Sequence, residues 1–204
     1  MRGFLRRGHF GNHQPLQGDF IGVDVTGTAA IPNAGDGVEF SDCNTALIGG
    51  NSGAAANVLS GNTGNGVNLN GEEETRIVVQ GNLIGTDVTG THSLGNGADG
   101  IIIQSAAHQN LIGGTQPGED NFIAFNTDQG VAVDGTLTFG EVANRNGIFS
   151  NSIFSNSPQG IFSYISSERR RLRIESLGPT QCGKFCRPIV FWPTGDGSTT
   201  LDET

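Results

Sequence analysis

The sequence predicts an all-β chain wound as a right-handed parallel β-helix (solenoid) of about five coils, followed by an irregular C-terminal segment. Three observations predict it: an internal repeat of 63 residues, a shorter period near 30 residues marked by glycine, and 33 glycines among 204 residues with only seven prolines. That glycine share is about twice the usual one. Without a G-X-Y period it excludes collagen and leaves turns as the use of the glycines, and many turns mean many short elements.

The long repeat is read residue by residue. Phe20-Ile21-Gly22 is answered by Leu83-Ile84-Gly85, and Asp24-Val25-Thr26-Gly27-Thr28 by Asp87-Val88-Thr89-Gly90-Thr91. Past one inserted residue the match continues, with Leu47-Ile48-Gly49-Gly50 meeting Leu111-Ile112-Gly113-Gly114, Asn57 meeting Asn121 and Asn62 meeting Asn126. Self-similarity of this kind is the signature of a stacked repeat.

The short period sets the rungs. A glycine followed by a β-branched residue occurs at Gly37-Val38, Gly66-Val67, Gly100-Ile101, Gly130-Val131 and Gly160-Ile161, with spacings of 29, 34, 30 and 30. After each of the first four the pattern alternates: Val38 and Phe40 flank Glu39, Val67 and Leu69 flank Asn68, Ile101 and Ile103 flank Ile102, Val131 and Val133 flank Ala132. Period two places one set inside and the other outside. Two further apolar bursts per coil, such as Leu111-Ile112 and Phe122-Ile123, follow asparagines and are bounded by Gly-rich turns. Strands of three to five residues, three to a coil, stacked roughly 4.8 Å apart, give a solenoid in which no coil is stable alone. Hairpin turns and longer strands, which a sandwich needs, do not fit.

This divides the chain into an irregular N-terminal segment (1–16), the β-helix (17–162) and an irregular tail or cap (163–204). Asn57, Asn82, Asn110, Asn121 and Asn151 suit inward-turned ladders in which each amide bonds the next rung. They suit equally well turns in which Asn takes a left-handed conformation.

At these residues the sequence resembles the right-handed parallel β-helix repeat family, in particular long repetitive bacterial proteins carrying a CSLREA-type domain. The matching phrases run from Gly81 to Thr91, then Leu94-Gly95-Asn96-Gly97, Asp99-Gly100-Ile101 and Asn110 to Thr115. The resemblance covers about Gln17 to Ile161 and implies secretion or display at the cell surface. Met1 to Phe10 is basic but lacks an apolar run, so an export signal is not present in this chain, and nothing later approaches a membrane span. Past Asn156 the chain departs from the family. Six of the eleven Lys and Arg fall in Arg169–Arg187, with Cys182, Cys186 and Trp192 nearby. Residues 163–193 read either as out-of-frame sequence or as a cap over the last rung.

A net charge of −9, with Arg76 the single Lys or Arg between Gly8 and Asn144 against fifteen Asp and Glu, excludes nucleic acid as a partner. Three cysteines, Cys43, Cys182 and Cys186, do not complete a zinc site, and His9, His13, His92 and His108 share no spacing. Asn126-Thr127-Asp128 resembles a catalytic fragment of β-helix polygalacturonases, but Glu119-Asp120 comes before it rather than after, no His-Gly follows, and no basic tripeptide lies downstream outside Arg169 to Arg173, so the partners an inverting hydrolysis needs are missing. Arg76 is the sole candidate base for lyase chemistry and follows Glu72-Glu73-Glu74, which would keep it protonated. Asp24, Asp36, Asp87 and Asp99 offer carboxylates that calcium would take, the one cofactor the pattern suggests, although Asx turns use the same residues. The expectation is therefore a non-catalytic structural or adhesive module, with polysaccharide as the partner and no membrane insertion. Self-association through exposed coil ends is expected as well. The alternative is a carbohydrate-active β-helix enzyme, either a lyase or a polygalacturonase-like hydrolase.

Overall fold

In a computed structural model of the chain, the described residues are 4–5, 15–40, 43–71, 75–135, 145–157, 160–165, 173–175, 190–193 and 199–202. They form three stacked sheets whose strands recur in the order third, first, second along the chain, so that each circuit makes one coil. The first sheet holds Val38–Phe40, Val67–Asn70, Ile101–Gln104, Val131–Gly135 and Ile161–Ile165. The second holds Asn44–Gly49, Thr75–Gln80, Leu111–Gly113, Gly147–Phe149 and Arg173–Glu175. The third holds Phe20–Ile21, Val58–Leu59, Leu83–Ile84, Phe122–Ala124 and Ser152–Phe154. All these neighbours pair in parallel. Five rungs stand about four turns apart from first to last.

The alternation read from the sequence is what the register delivers. Val38, Val67, Ile101 and Val131 stack as one inward file of the first sheet and Phe40, Leu69, Ile103 and Val133 as another. Ile48, Val79, Ile112 and Ile148 line the second sheet, and Ile21, Leu59, Ile84 and Ile123 the third. Each such side chain contributes roughly 1.5–3 kcal/mol in gross burial. The ordering of its coil opposes that gain, so cohesion comes from one coil lying on the next.

Buried amides line the corners. Asn57 gives its N–H and Nδ2–H to Asn82 Oδ1, Asn82 to Asn121 and Asn121 to Asn151. A second ladder runs Asn33, Asn62, Asn96, Asn126, Asn156 in the same sense. Asn110 bonds the next rung in a separate line, giving its N–H to Asn146 at the corner before the second sheet. The left-handed alternative fails for these asparagines, none of which has positive φ; at several corners the residue before takes it. Gln109, Phe125, Arg145, Ser150 and Ser155 have φ between 53° and 62° and precede Asn110, Asn126, Asn146, Asn151 and Asn156. The left-handed residue turns the chain, and the asparagine ties the turn to the next coil.

Outside the coils, Phe4–Leu5 pairs with Val38 and Glu39, and Leu16 bridges Ile48. At the other end Val190–Pro193 and Thr199–Asp202 form an antiparallel pair that joins Ser163 of the first sheet. Most of the basic stretch that followed Asn156 in the reading above, with Cys182 and Cys186, lies outside the described residues. No helix among the described residues is long and apolar enough to cross a membrane.

Candidate functional surface

The first sheet carries a connected polar strip on its outer side, built at the residue before each repeat glycine. Asp36, Asn65, Asp99 and Gln129 occupy that place in successive coils, immediately ahead of Gly37, Gly66, Gly100 and Gly130. Asp36 Oδ1 accepts from Asn65 N–H (2.6 Å) and Nδ2–H (2.8 Å), and its Oδ2 from Asn68 Nδ2–H (2.9 Å). Asn68 Oδ1 in turn accepts from Gln104 Nε2–H. Asn65 Oδ1 accepts from Asp99 N–H, and Asp99 Oδ1 from Gln129 N–H. The strip therefore crosses four coils through contacts between residues about one coil apart in sequence.

Asp99 is the electrostatic exception in it. Asn65 has two donors for the residue below, whereas an ionised Asp99 has only its backbone N–H. Burial pushes the Asp99 carboxyl up to about 6; the Gln129 N–H opposes this, and the negative charge of Asp128 adds to it. Asp99 is buried and Asp128 exposed, so the pair combines one carboxyl held toward its neutral form with one open to solvent. Gln129 Oε1 is buried beside them with no hydrogen-bond partner.

Asp24 and Asp87 stand elsewhere, in two loops beside the third sheet that the bridges Val23↔Ala30 and Thr86↔Ser93 close. Asp24 accepts from Thr26 Oγ1 with both oxygens (2.9 and 2.8 Å), and its Oδ1 from the N–H groups of Thr28 and Ala29. Asp87 repeats this with Thr89 Oγ1, Thr91 N–H and His92 N–H, and adds the His92 ring at 3.2 Å. The Thr26 hydroxyl and the loop N–H groups hold Asp24 below the usual carboxylate range. For Asp87 burial pushes upward, but the His92 N–H, Thr89 hydroxyl, Thr91 N–H and His92 ring together outweigh it and hold the carboxyl at about 2. The two loops stack: Val88 N–H donates to Gly27 C=O at 2.9 Å. The four aspartates considered for calcium thus fall in separate hydrogen-bonded places. Among the described residues no group of three or more His, Cys, Asp or Glu is gathered as a metal would require.

The remaining candidates are placed as follows. Asn126 is a buried ladder residue, and the Thr127 hydroxyl bonds Asn96 C=O as the Thr63 hydroxyl bonds Asn33 C=O, so the first two members of the Asn-Thr-Asp fragment serve the stack. Asp128 lies close enough to Asp99 of the coil before for its charge to act on that carboxyl. Arg76 is exposed near the start of the strand Thr75–Gln80, with φ 56°; Glu72-Glu73-Glu74 lie outside the described residues, as do His9 and His13. The His92 side chain is 80% exposed, the His108 ring donates from Nδ1 to Ala106 C=O, and Cys43 is buried. No family model, curated protein or solved structure matches the chain.

Proposed function

We propose that the chain is a non-catalytic structural or adhesive module of a bacterial surface or secreted protein, with the outer strip of the first sheet as its glycan-contacting face. What supports the reading is how the polar side chains are committed. The buried asparagines hold one coil to the next, while Asn70 and Gln104, the latter also donating to Asn68, stand half-exposed on the same face as Ile102. Amides offer a donor and an acceptor to neighbouring sugar hydroxyls, and the aliphatic side chain covers sugar C–H faces. The charge of −9 favours neutral glycans over polyuronates unless a cation such as calcium bridges them. Secretion and the bacterial source rest on the resemblance in the repeat phrases.

The test is affinity electrophoresis of the chain in neutral and acidic polysaccharides, with and without calcium. Retardation that Asn70→Ala plus Gln104→Ala weakens about tenfold is the expected result. Mobility unchanged in every polysaccharide would remove the adhesive role and leave a scaffold.

A second reading, a carbohydrate-active hydrolase, is favoured by one observation: Asp99 and Asp128 are coupled carboxylates with unequal environments, the arrangement that separates an acid from a base. Release of reducing ends that both Asp99→Asn and Asp128→Asn abolish would establish it in place of the first.

A further inference from the structure

The apolar side chains that stand exposed are gathered on one side of the stack. Among the described residues the large ones are Phe20, Val25, Ile31, Val88 and Phe154, all on the third sheet or in the loops that leave it. Glycines bring those loops down on the sheet: a Cβ added at Gly27 would meet the Phe20 ring at 3.1 Å, and one at Gly90 the Phe122 ring at 3.8 Å. The fourth and fifth coils carry no such loop and turn instead at single left-handed residues, Phe125 and Ser155. There Phe154 meets Phe122 edge to face with ring centroids 4.8 Å apart, and Phe125 at 5.9 Å, yet stays 38% exposed.

Beside this cluster the Asp87 loop leaves an acceptor. Gly27 C=O takes Val88 N–H, but the matching Gly90 C=O takes no donor among the described residues. The charge around it has one sign. The rungs and corners of this side, residues 19–31, 57–63, 82–95, 120–127 and 151–157, hold Asp19, Asp24, Asp87 and Asp120 and neither Lys nor Arg. Asp19 and Asp120 are exposed just ahead of Phe20 and Phe122, and the loop donors keep Asp24 and Asp87 ionised at neutral pH. An aromatic cluster, an unused carbonyl and a negative rim together suit a cation carried on an apolar stem.

We propose that the outer face of the third sheet around Phe122 and Phe154 docks a basic segment of another polypeptide, anchored by an arginine. The guanidinium lies against the Phe154 ring and donates to Gly90 C=O, and its apolar neighbours in the segment cover Phe122 and Val88. Arginine suits the place better than lysine, because its planar, weakly hydrated head stacks on rings. Asp87 and Asp120 add a field that draws the segment in and fades with salt. A neutral glycan gains nothing from that field, a polyuronate is repelled, and a second copy brings the same negative face against it. The site lies on a different sheet from the glycan-contacting strip and does not depend on it.

The experiment titrates the full chain into a fluorescently labelled peptide, Gly-Leu-Arg-Phe-Arg-Leu-Gly, and follows anisotropy. Saturable binding is expected, about tenfold weaker with citrulline in place of both arginines, which keeps the shape and removes the charge. It should also weaken as sodium chloride rises from about 50 to about 500 mM. Phe154→Ala keeps every charge, trims an exposed ring and should weaken binding about five- to tenfold. No saturable binding, or equal binding by the Phe154→Ala chain, would overturn the proposal, the latter by reducing the attraction to net charge. Retardation in a neutral polysaccharide, or dimerisation in sedimentation, that Phe154→Ala removes in place of peptide binding would overturn it too, assigning the face to a glycan or to a second copy. If Phe154→Ala fails to fold, the citrulline peptide decides, since its equal binding would refute the arginine anchor.

Discussion

Replacing Asp99 by Asn tests whether the outer strip is electrostatically frustrated. The Asp99 carboxyl is raised from 3.8 to about 6, chiefly by burial. That shift corresponds to at most about 3 kcal/mol between protonation states, and partial contact with water reduces it to on the order of 1–2 kcal/mol. Because the folded-state value lies above the unfolded one, the folded chain holds the proton more tightly. The stabilising contribution is complete below about pH 4 and is lost as pH rises through about 6. An asparagine has no charge to desolvate and regains a second donor directed at Asn65 Oδ1, as Asn65 itself has toward Asp36. Asp99→Asn should therefore raise the melting temperature at pH 7 by roughly 2–8 °C and flatten the melting profile between pH 4 and 6. Asp87 supplies an internal reference with the opposite sign. Its carboxyl, held at about 2, contributes stability above about pH 4 that is lost as pH falls toward 2. That acid limb should persist in the variant. Thermal melts across pH 2–8 are the assay, and a variant less stable than the parent at pH 7, or one that keeps the slope between pH 4 and 6, would refute the reasoning.

Asn121→Ala should destabilise by about 3–5 kcal/mol, because this fully buried amide accepts from two donors of Asn82 and donates to Asn151 Oδ1 and Val79 C=O, all of which lose a partner. A denaturant midpoint near that of the parent would show that the ladder is decoration. Gly85→Ala should cost about 2–4 kcal/mol, since Gly85 has φ +85° and a Cβ there would overlap Ala124 C=O in the next coil. Urea unfolding decides it, and a loss below about 1 kcal/mol would contradict the close approach.

The coil architecture was legible because glycine and alternation repeat at a fixed spacing: Val38 through Val131 stack as the period required. The first asparagine ladder was legible for the same reason, through Asn57, Asn82, Asn121 and Asn151. Asn110 also bonds the next rung, at Asn146, but in a ladder of its own, because two corners of one coil both begin with asparagine and only register separates them. The left-handed corners at Phe125 or Arg145 were hidden, since nothing in a phenylalanine or arginine announces positive φ. The coupling of Asp99 with Asp128 was missed because the two lie 29 residues apart and one coil apart. A signal for the strip existed nonetheless: Asp36, Asn65, Asp99 and Gln129 each stand one place before the repeat glycine, a column of short or amide side chains where loops usually vary.

The ladder bonds have a mechanical consequence. Each joins residues about one circuit apart, as Asn121 and Asn151 are 30 residues apart, so a pulled chain end meets its resistance one rung at a time. Rupture of a rung frees about 30 residues, roughly 100 Å of extended chain at about 3.4 Å per residue, before the next rung takes the load. A stack of such coils lengthens under tension in discrete steps and dissipates work at each, the behaviour of a shock-absorbing tether rather than a rigid spacer.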